Sequence, residues 1–454
     1  MLSLVMGIQL TANAQLSVAF TNRLQVVMDS VCTKLKLKGA SVAVSVPNAG
    51  IWKGTYGISS TDNPVKADML FGIGSNTKTI MAALALKLQE NNLLNLDDSI
   101  GKWIINKPNI NGKATIRQML NHTSGIFSYT EHPNFFASIN TDPFKVWKLE
   151  DIYPFVNAPE FAPGTNWSYS NTNYTLLGII IEKVTNKPIQ DVLQEYILTP
   201  NGLTQTFYYP QQTPNLDIAN PWSVGVGRPY LANMNEIPNW SMHALHSSAS
   251  TAGGILQTVE DNVKFWDRLI SGKMINETSL KQMKTYVSIG GGDGYGLGIF
   301  FYSKALNQRS FYSHGGTFVG YINENMVDTT SGIIFSVLTN QDSISNNTLI
   351  GRVIAALHKV TLQMPTTGVQ ESVYNNKAFS IYPNPAHEKI AIAQEKGETA
   401  ASADIIDLTG KLVKSEVLSG SALSVEDVAT GLYTLHLKNN KGELLHVQKI
   451  QVVR

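Results

Sequence analysis

The chain has 454 residues, 43% of them hydrophobic and 15% charged, with 35 lysines and arginines against 34 aspartates and glutamates. That balance gives no electrostatic footprint for nucleic acid or an anionic membrane, and the hydrophobic share excludes extensive disorder. The length allows a large core and more than one domain.

Leu2 to Leu10 is mostly apolar and leads to Ala12-Asn13-Ala14, a small-residue cleavage pattern before Gln15, so residues 1–14 read as a secretory signal peptide. Its basic start is missing, since Arg23 is the first positive residue. No segment approaches the roughly 18 uninterrupted apolar residues that cross a bilayer, so the chain is expected to be exported without an integral membrane segment. Cys32 is the single cysteine and follows Leu24, Val27, Met28 and Val31 at helical spacing, which predicts a packed, inert thiol.

Ser41–Val46 and Ile51–Tyr56 are β-rich runs joined by Pro47-Asn-Ala-Gly50, a hairpin. Phe71-Gly-Ile-Gly-Ser75-Asn-Thr-Lys78 then runs into Thr79–Leu88, a helix apolar on nearly every face and so expected in a core. Ser75 stands at its N-cap or first turn, with Lys78 three residues on and on the same face. The middle predicts helices near Thr115–Leu120, Tyr174–Val184 and Val259–Ile270. Strands return at Tyr295–Tyr302, Arg309–Ser313, Phe318–Val327 and Ile333–Thr339, followed by a helix over about Asn346–Val360. Strands at both ends and helices between predict an α+β domain over residues 15–362. One antiparallel sheet would be built from the two chain ends, with a mostly helical lobe against it and a cleft between. Residues 363–377 turn polar and read as a linker. The short alternating runs from Ala378 to Arg454 predict a separate small all-β sandwich.

A serine hydroxyl needs a base to become a nucleophile, and a desolvated lysine can be one. Ser-x-x-Lys alone is weak, because Ser99-Ile-Gly-Lys102 matches too, but only Ser75 opens a long buried helix. Tyr169-Ser-Asn171 lies in a polar loop just before an apolar helix, while the other Tyr-x-Asn matches fall in a strand, the linker and the last domain. Ser313-His-Gly-Gly-Thr317 has glycines that let the backbone approach a ligand.

In this order and spacing, Ser75-x-x-Lys78, Tyr169-Ser-Asn171 and His314-Gly-Gly316 resemble the serine β-lactamase and penicillin-binding-protein superfamily. The nearest branch is the class C-like one with its D,D-peptidases, D-aminopeptidases and esterases. The resemblance covers residues 38 to 342 and includes Leu120-Asn-His-Thr-Ser-Gly125, Ala252-Gly-Gly254 and Tyr295-Gly-Leu-Gly298. It implies Ser75 as the acylated nucleophile, Lys78 and Tyr169 sharing the base role, and Asn171 binding substrate or holding Lys78. His314, Gly315, Gly316 and Thr317 would line the substrate, with the N–H groups of Ser75 and Thr317 as the oxyanion hole. Bringing a lysine from about 10.4 to near 7 takes roughly 4.6 kcal/mol, which burial and Tyr169 would have to supply unless the tyrosine carries the proton.

The sequence departs from the family at His314, where β-lactamases of this type have the lysine of Lys-Thr-Gly. A mostly neutral histidine weakens carboxylate recognition, disfavouring penicillins and favouring esters or D-amino-acid amides. His122 reads as a structural residue of its turn, and Gly290–Gly294 as a turn rather than a phosphate loop. The nine histidines show no metal-ligand spacing and no Gly-x-Ser-x-Gly occurs, so no metal, no cofactor and no α/β-hydrolase esterase is expected.

Phe379-Ser-Ile-Tyr-Pro-Asn-Pro385, Asp407-Leu-Thr-Gly-Lys411, Gly431-Leu-Tyr-Thr-Leu435 and Lys449–Arg454 resemble the C-terminal sorting domain of type IX (Por) secretion cargo. That resemblance implies passage across an outer membrane to the medium or cell surface, through the type IX machinery. A carbohydrate- or surface-binding module is the plain alternative. The expectation is therefore a secreted serine hydrolase acting on D-amino-acid-containing peptides, of D-Ala-D-Ala carboxypeptidase or D-aminopeptidase type, or on small esters. The competing expectations are a β-lactamase and a non-catalytic relative that binds peptidoglycan or serves as a scaffold.

Overall fold

In the strand Gly39–Val46 (β1), Val42 and Val44 enter one core and Ala43 another, the two-residue period of a strand buried on both faces. The computed structural model describes residues 16–142, 144–223, 235–236, 243–342, 347–363, 379–394, 399–407, 412–442 and 444–453. The leader and, Gln363 apart, the linker stretch lie outside them.

The chain divides into two compact units, Met1–Met364 and Pro365–Arg454. In the first, β1 pairs with Gly50–Ser60 (β2), and Asn63–Pro64 (β3) ends that edge. The later strands are Val287–Gly290 (β4), Asp293–Tyr295 (β5), Phe300–Leu306 (β6), Arg309–Phe318 (β7), Tyr321–Asp328 (β8) and Ile334–Thr339 (β9). The order β3-β2-β1-β9-β8-β7-β6-β5-β4 is antiparallel throughout, and the β1–β9 pairing, with Ala40 opposite Thr339, joins the two chain ends into one sheet. The longer helices are Val18–Leu35 (α1), Thr77–Glu90 (α2), Asn171–Thr185 (α3), His243–Gly253 (α4), Val259–Ile270 (α5) and Asn347–Thr361 (α6). α1 and α6 cover one face of the sheet through Leu24, Met28, Ile354 and Leu357, and the helical lobe built on α2 and α3 covers the other. Cys32 lies in the α1 core, where burial pushes its thiol up to about 12.

Tyr295–Tyr302, expected as one strand, is two: the chain reverses between β5 and β6 at Gly296–Ile299. The reason is tertiary. Gly298 (φ +69°) lies on α2, with its carbonyl accepting Thr79 Oγ1 at 2.7 Å, and a Cβ there would fall 2.8 Å from Lys78 O. The Ser313–Thr317 stretch, expected at the end of a strand, lies inside β7.

β8 ends at Asp328, whose buried carboxylate accepts Arg309 Nη1, Thr330 N and Ser331 Oγ, each at 2.8 Å, and lies 3.3 Å from His358 Nε2 on α6. Burial raises this carboxyl, but the bonds from His358, Thr330, Ser331 and Arg309 outweigh it and hold it well below the usual carboxylate range. Asp328→Ala is expected to cost about 3 kcal/mol in chemical denaturation, because it leaves buried partners short of an acceptor. The folded carboxyl titrates below the unfolded one, so this contribution is complete above pH ~4 and fades as pH falls, and the cost of the substitution should shrink in acid.

The second unit has a three-stranded sheet (Phe379–Tyr382, Lys389–Gln394, Ala422–Ser424) and a four-stranded one (Leu412–Val417, Ser402–Asp407, Gly431–Lys438, Leu444–Val452). Ile390, Leu423, Ile405 and Leu435 form the core between them. This is the expected β-sandwich, with Phe379–Tyr382, Leu412–Val417 and Ala422–Ser424 as strands the sequence did not announce.

Candidate active site

From Met69 to Leu86 every residue is buried except Ser75. Gly74–Asn76 is a 3-10 turn that runs straight into α2, so Ser75 precedes the α-helix rather than capping it. The turn is fixed by the short strand Phe71–Gly72 against Ile255–Gln257 and by Ile73 N donating to Ile255 O at 3.0 Å. On its other side β7 comes unusually close. A Cβ on Gly316 would fall 2.0 Å from Ile73 O, and the Thr317 backbone packs on Gly74. These contacts bring the first and third motifs together.

Lys78 is fully buried, with Nζ 3.1 Å from Ser75 Oγ and donating to Ala252 O at 2.6 Å. Burial pushes its amine far below the ordinary lysine range, toward the neutral form. The Ala252 carbonyl is delivered by a strained turn: Ser250, inside α4, has φ 45° and ψ −129°, which costs a non-glycine residue about 1–3 kcal/mol. Tyr169 is half-buried, its ring centroid 5.0 Å from Lys78 Nζ. Burial raises its phenol, and a hydrogen bond to Ser75 pulls the other way. Serine, amine and phenol therefore meet at one point.

Asn171 is the first residue of α3; its N–H donates to Ser128 Oγ at 3.1 Å and its Nδ2 to Thr130 Oγ1 at 2.9 Å. These bonds turn it toward the cavity, and it is the Ala252 carbonyl that takes the lysine amine. His314, expected beside the substrate, is instead packed behind it and 1% exposed. Its Nδ1–H donates to Gly315 O at 2.7 Å, and its Nε2 lies 3.1 Å from Tyr295 OH. Burial first, and then the charge of Lys78, push the imidazole down to about 3, so it is neutral at pH 7. Of the third motif, Thr317 lines the cavity; His314, Gly315 and Gly316 stand behind it.

The cavity over Ser75 holds about 300 Å3. Phe135, Phe136, Ile139, Leu245 and Val319 form its apolar wall, and Glu131 and Asp342 bring carboxylates to it. Among the described residues no lysine or arginine lines it. The Phe135–Ile139 wall was missed, although two phenylalanines and an isoleucine at helical spacing are a readable signal. Trp222 donates its indole N–H to Ser59 O at 2.8 Å and does not line the cavity. No group of three or more His, Cys, Asp or Glu side chains is arranged for a metal among the described residues.

Residues 21–358 match the Beta-lactamase family. The chain belongs to that family. Residues 380–453 match the Secretion system C-terminal sorting domain, which points to export from the cell or to its surface; no described helix is long and apolar enough to cross a membrane. This β-lactamase-family chain is 27% identical over 277 residues to Penicillin-binding protein 4* of Bacillus subtilis (strain 168), 59% of each chain. It thus spans about three fifths of that relative's length. Among solved structures it is similar to a D-stereospecific amidohydrolase from Streptomyces sp., with TM-score 0.64 and 27% identity over 74% of this chain and 98% of that one. The fold is also that of the D-amino acid amidase of Ochrobactrum anthropi SV3, with TM-score 0.66 and 23% identity over 76% and 99% of the two chains. The fold is therefore that of β-lactamases and penicillin-binding proteins, in a family with hydrolase relatives.

Proposed function

We propose that this protein is an exported serine hydrolase that works through a Ser75 acyl-enzyme on amides of D-amino acids with a free amine and a bulky apolar side chain. The observation that carries the reading is Ser75, alone half-exposed in a buried segment and with its Oγ 3.1 Å from an amine that burial holds toward neutrality. A neutral Lys78 takes the serine proton as Oγ attacks the carbonyl, while its own N–H stays on Ala252 O. Tyr169, whose phenol is raised and so keeps its proton, then passes a proton to the leaving amine and is refilled from the lysine. The N–H groups of Ser75 and Thr317 receive the oxyanion. Water afterwards attacks the ester by the reverse relay.

Charge favours this substrate class over the carboxypeptidase and β-lactam alternatives. A carboxylate-bearing substrate meets Glu131 and Asp342 with no lysine or arginine lining the cavity among the described residues, whereas an ammonium is attracted by both acids. The Phe135–Phe136–Ile139 wall suits an apolar side chain, and the likeness to a D-stereospecific amidohydrolase supports the stereochemistry. The sorting domain supports export by the type IX machinery, with the hydrolase acting outside the cell. The test compares D-phenylalanine para-nitroanilide, its N-acetyl derivative, a short-chain ester, a D-Ala-D-Ala peptide and a chromogenic cephalosporin. The free-amine anilide should be turned over best, with N-acetylation costing about tenfold in kcat/KM, the effect of losing ~1.4 kcal/mol. Cephalosporin turnover above that of the anilide would reject the assignment.

A further inference from the structure

We propose that His122 is a positioning residue that holds Tyr169 in line with Ser75 by bonding the backbone on both sides of it. The inference rests on the acyl-enzyme reading above. Its carbonyl accepts Ser168 N at 3.1 Å and its Nδ1 accepts Ser170 N at 3.1 Å, so Tyr169 is bracketed by one residue. The imidazole lies against the Tyr169 ring, centroids 4.3 Å apart and planes 36° off parallel. Three contacts from one side chain and its own carbonyl fix where the phenol stands.

The clamp demands one protonation state. Ser124 Oγ donates to Asn173 Oδ1 at 2.6 Å, which orients that amide so that its NH2 faces His122 Nδ1 at 3.3 Å. Nδ1 thus receives two N–H groups and cannot carry a proton, and the imidazole is neutral with its hydrogen on Nε2. Burial, with Lys78 and His314 nearby, pushes its titration well below the ordinary histidine range, in agreement with that state. His122 itself sits in the left-handed region at φ +62° because it closes the short helix Ile116–Leu120, its N–H donating to Met119 O at 3.2 Å and Thr123 N to Gln118 O at 2.8 Å. Filling that turn calls for the left-handed backbone but not for an acceptor on the side chain, and it is the acceptor that points to the clamp.

His122→Phe keeps a ring and removes the acceptor; His122→Asn puts a carbonyl oxygen where Nδ1 stands and tolerates the left-handed backbone. With D-phenylalanine para-nitroanilide, His122→Phe should lower kcat by about 10²-fold, the cost of misplacing a catalytic group by about 1 Å, and leave KM within about threefold. His122→Asn should regain at least tenfold of that loss. Thermal melts check that each variant folds. If the Phe variant fails to fold, His122→Gln replaces it, since its oxygen reaches the Nε2 position instead, and the Asn variant should exceed it tenfold in kcat. Wild-type kcat in His122→Phe, or an Asn variant no better than Phe or Gln, overturns the inference while Ser75 still labels with a fluorophosphonate. A wild-type protein that does not label at Ser75 removes the acyl-enzyme reading, and this inference with it.

Discussion

Ser75→Ala is expected to lower kcat by ~10⁴-fold or more and to abolish covalent labelling by a fluorophosphonate, with the fold intact. On the proposed acyl-enzyme reading the size follows from removing the atom that forms the bond: the oxyanion N–H groups and the cavity would remain, which in serine hydrolases leave a residual rate of about 10³–10⁴-fold over water. The fold should survive because Ser75 is half-exposed and caps no helix, so an Ala side chain fits the same 3-10 turn. KM should change little, since the cavity wall of Phe135, Phe136 and Ile139 is untouched. Mass spectrometry of the labelled wild type should place the adduct on Ser75 alone. A wild type that neither labels nor turns over any substrate would return the protein to the scaffold alternative.

The outline of this site was legible because its parts have local signatures. Ser75 and Lys78 fall three apart at the head of a run whose every face is apolar, and burial of that run is what desolvates the lysine. The hairpin of β1 and β2 and the α5 helix, which spans Val259–Ile270 as expected, follow from alternation and helical period. What could not be read was set by tertiary contact. The carbonyl that takes the Lys78 amine belongs to Ala252, and a backbone oxygen carries no signature of its own; only the strained Ser250 beside it betrays the role. The break between β5 and β6 depends on Gly298 lying against α2, not on the apolar run Tyr295–Tyr302. His314 carries the motif's position but not its exposure. Its side chain turns to Tyr295, and no rule of spacing tells which way a strand residue faces when both sides are buried.

Lys78→Met should abolish activity and yet make the protein more stable. Holding an ordinary lysine amine neutral at pH 7 costs roughly 4.6 kcal/mol, and here the cause is burial, with the Ser75 hydroxyl and the Ala252 carbonyl as polar partners. Methionine fills the same volume without that cost and gives up the bond to Ala252 O, worth about 1–2 kcal/mol. A net gain of about 2 kcal/mol should raise Tm by roughly 5 °C. Turnover should fall by ~10³-fold or more, because among the described residues no other base is recorded in bonding range of Ser75 Oγ except a phenol that keeps its proton. Lys78→Arg separates charge from volume: a guanidinium stays cationic, so this variant should lose both activity and stability. The pH dependence has a fixed sign. The folded amine titrates below the unfolded one, so the unfolded chain binds more protons and wild-type stability rises with pH up to about 10.4, a slope the Met variant should lack. In the same direction, wild-type kcat/KM should rise as Lys78 loses its proton and then level off. A Met variant that melts lower than wild type and keeps measurable turnover would mean that Lys78 is a structural cation and that the proton leaves Ser75 by another route.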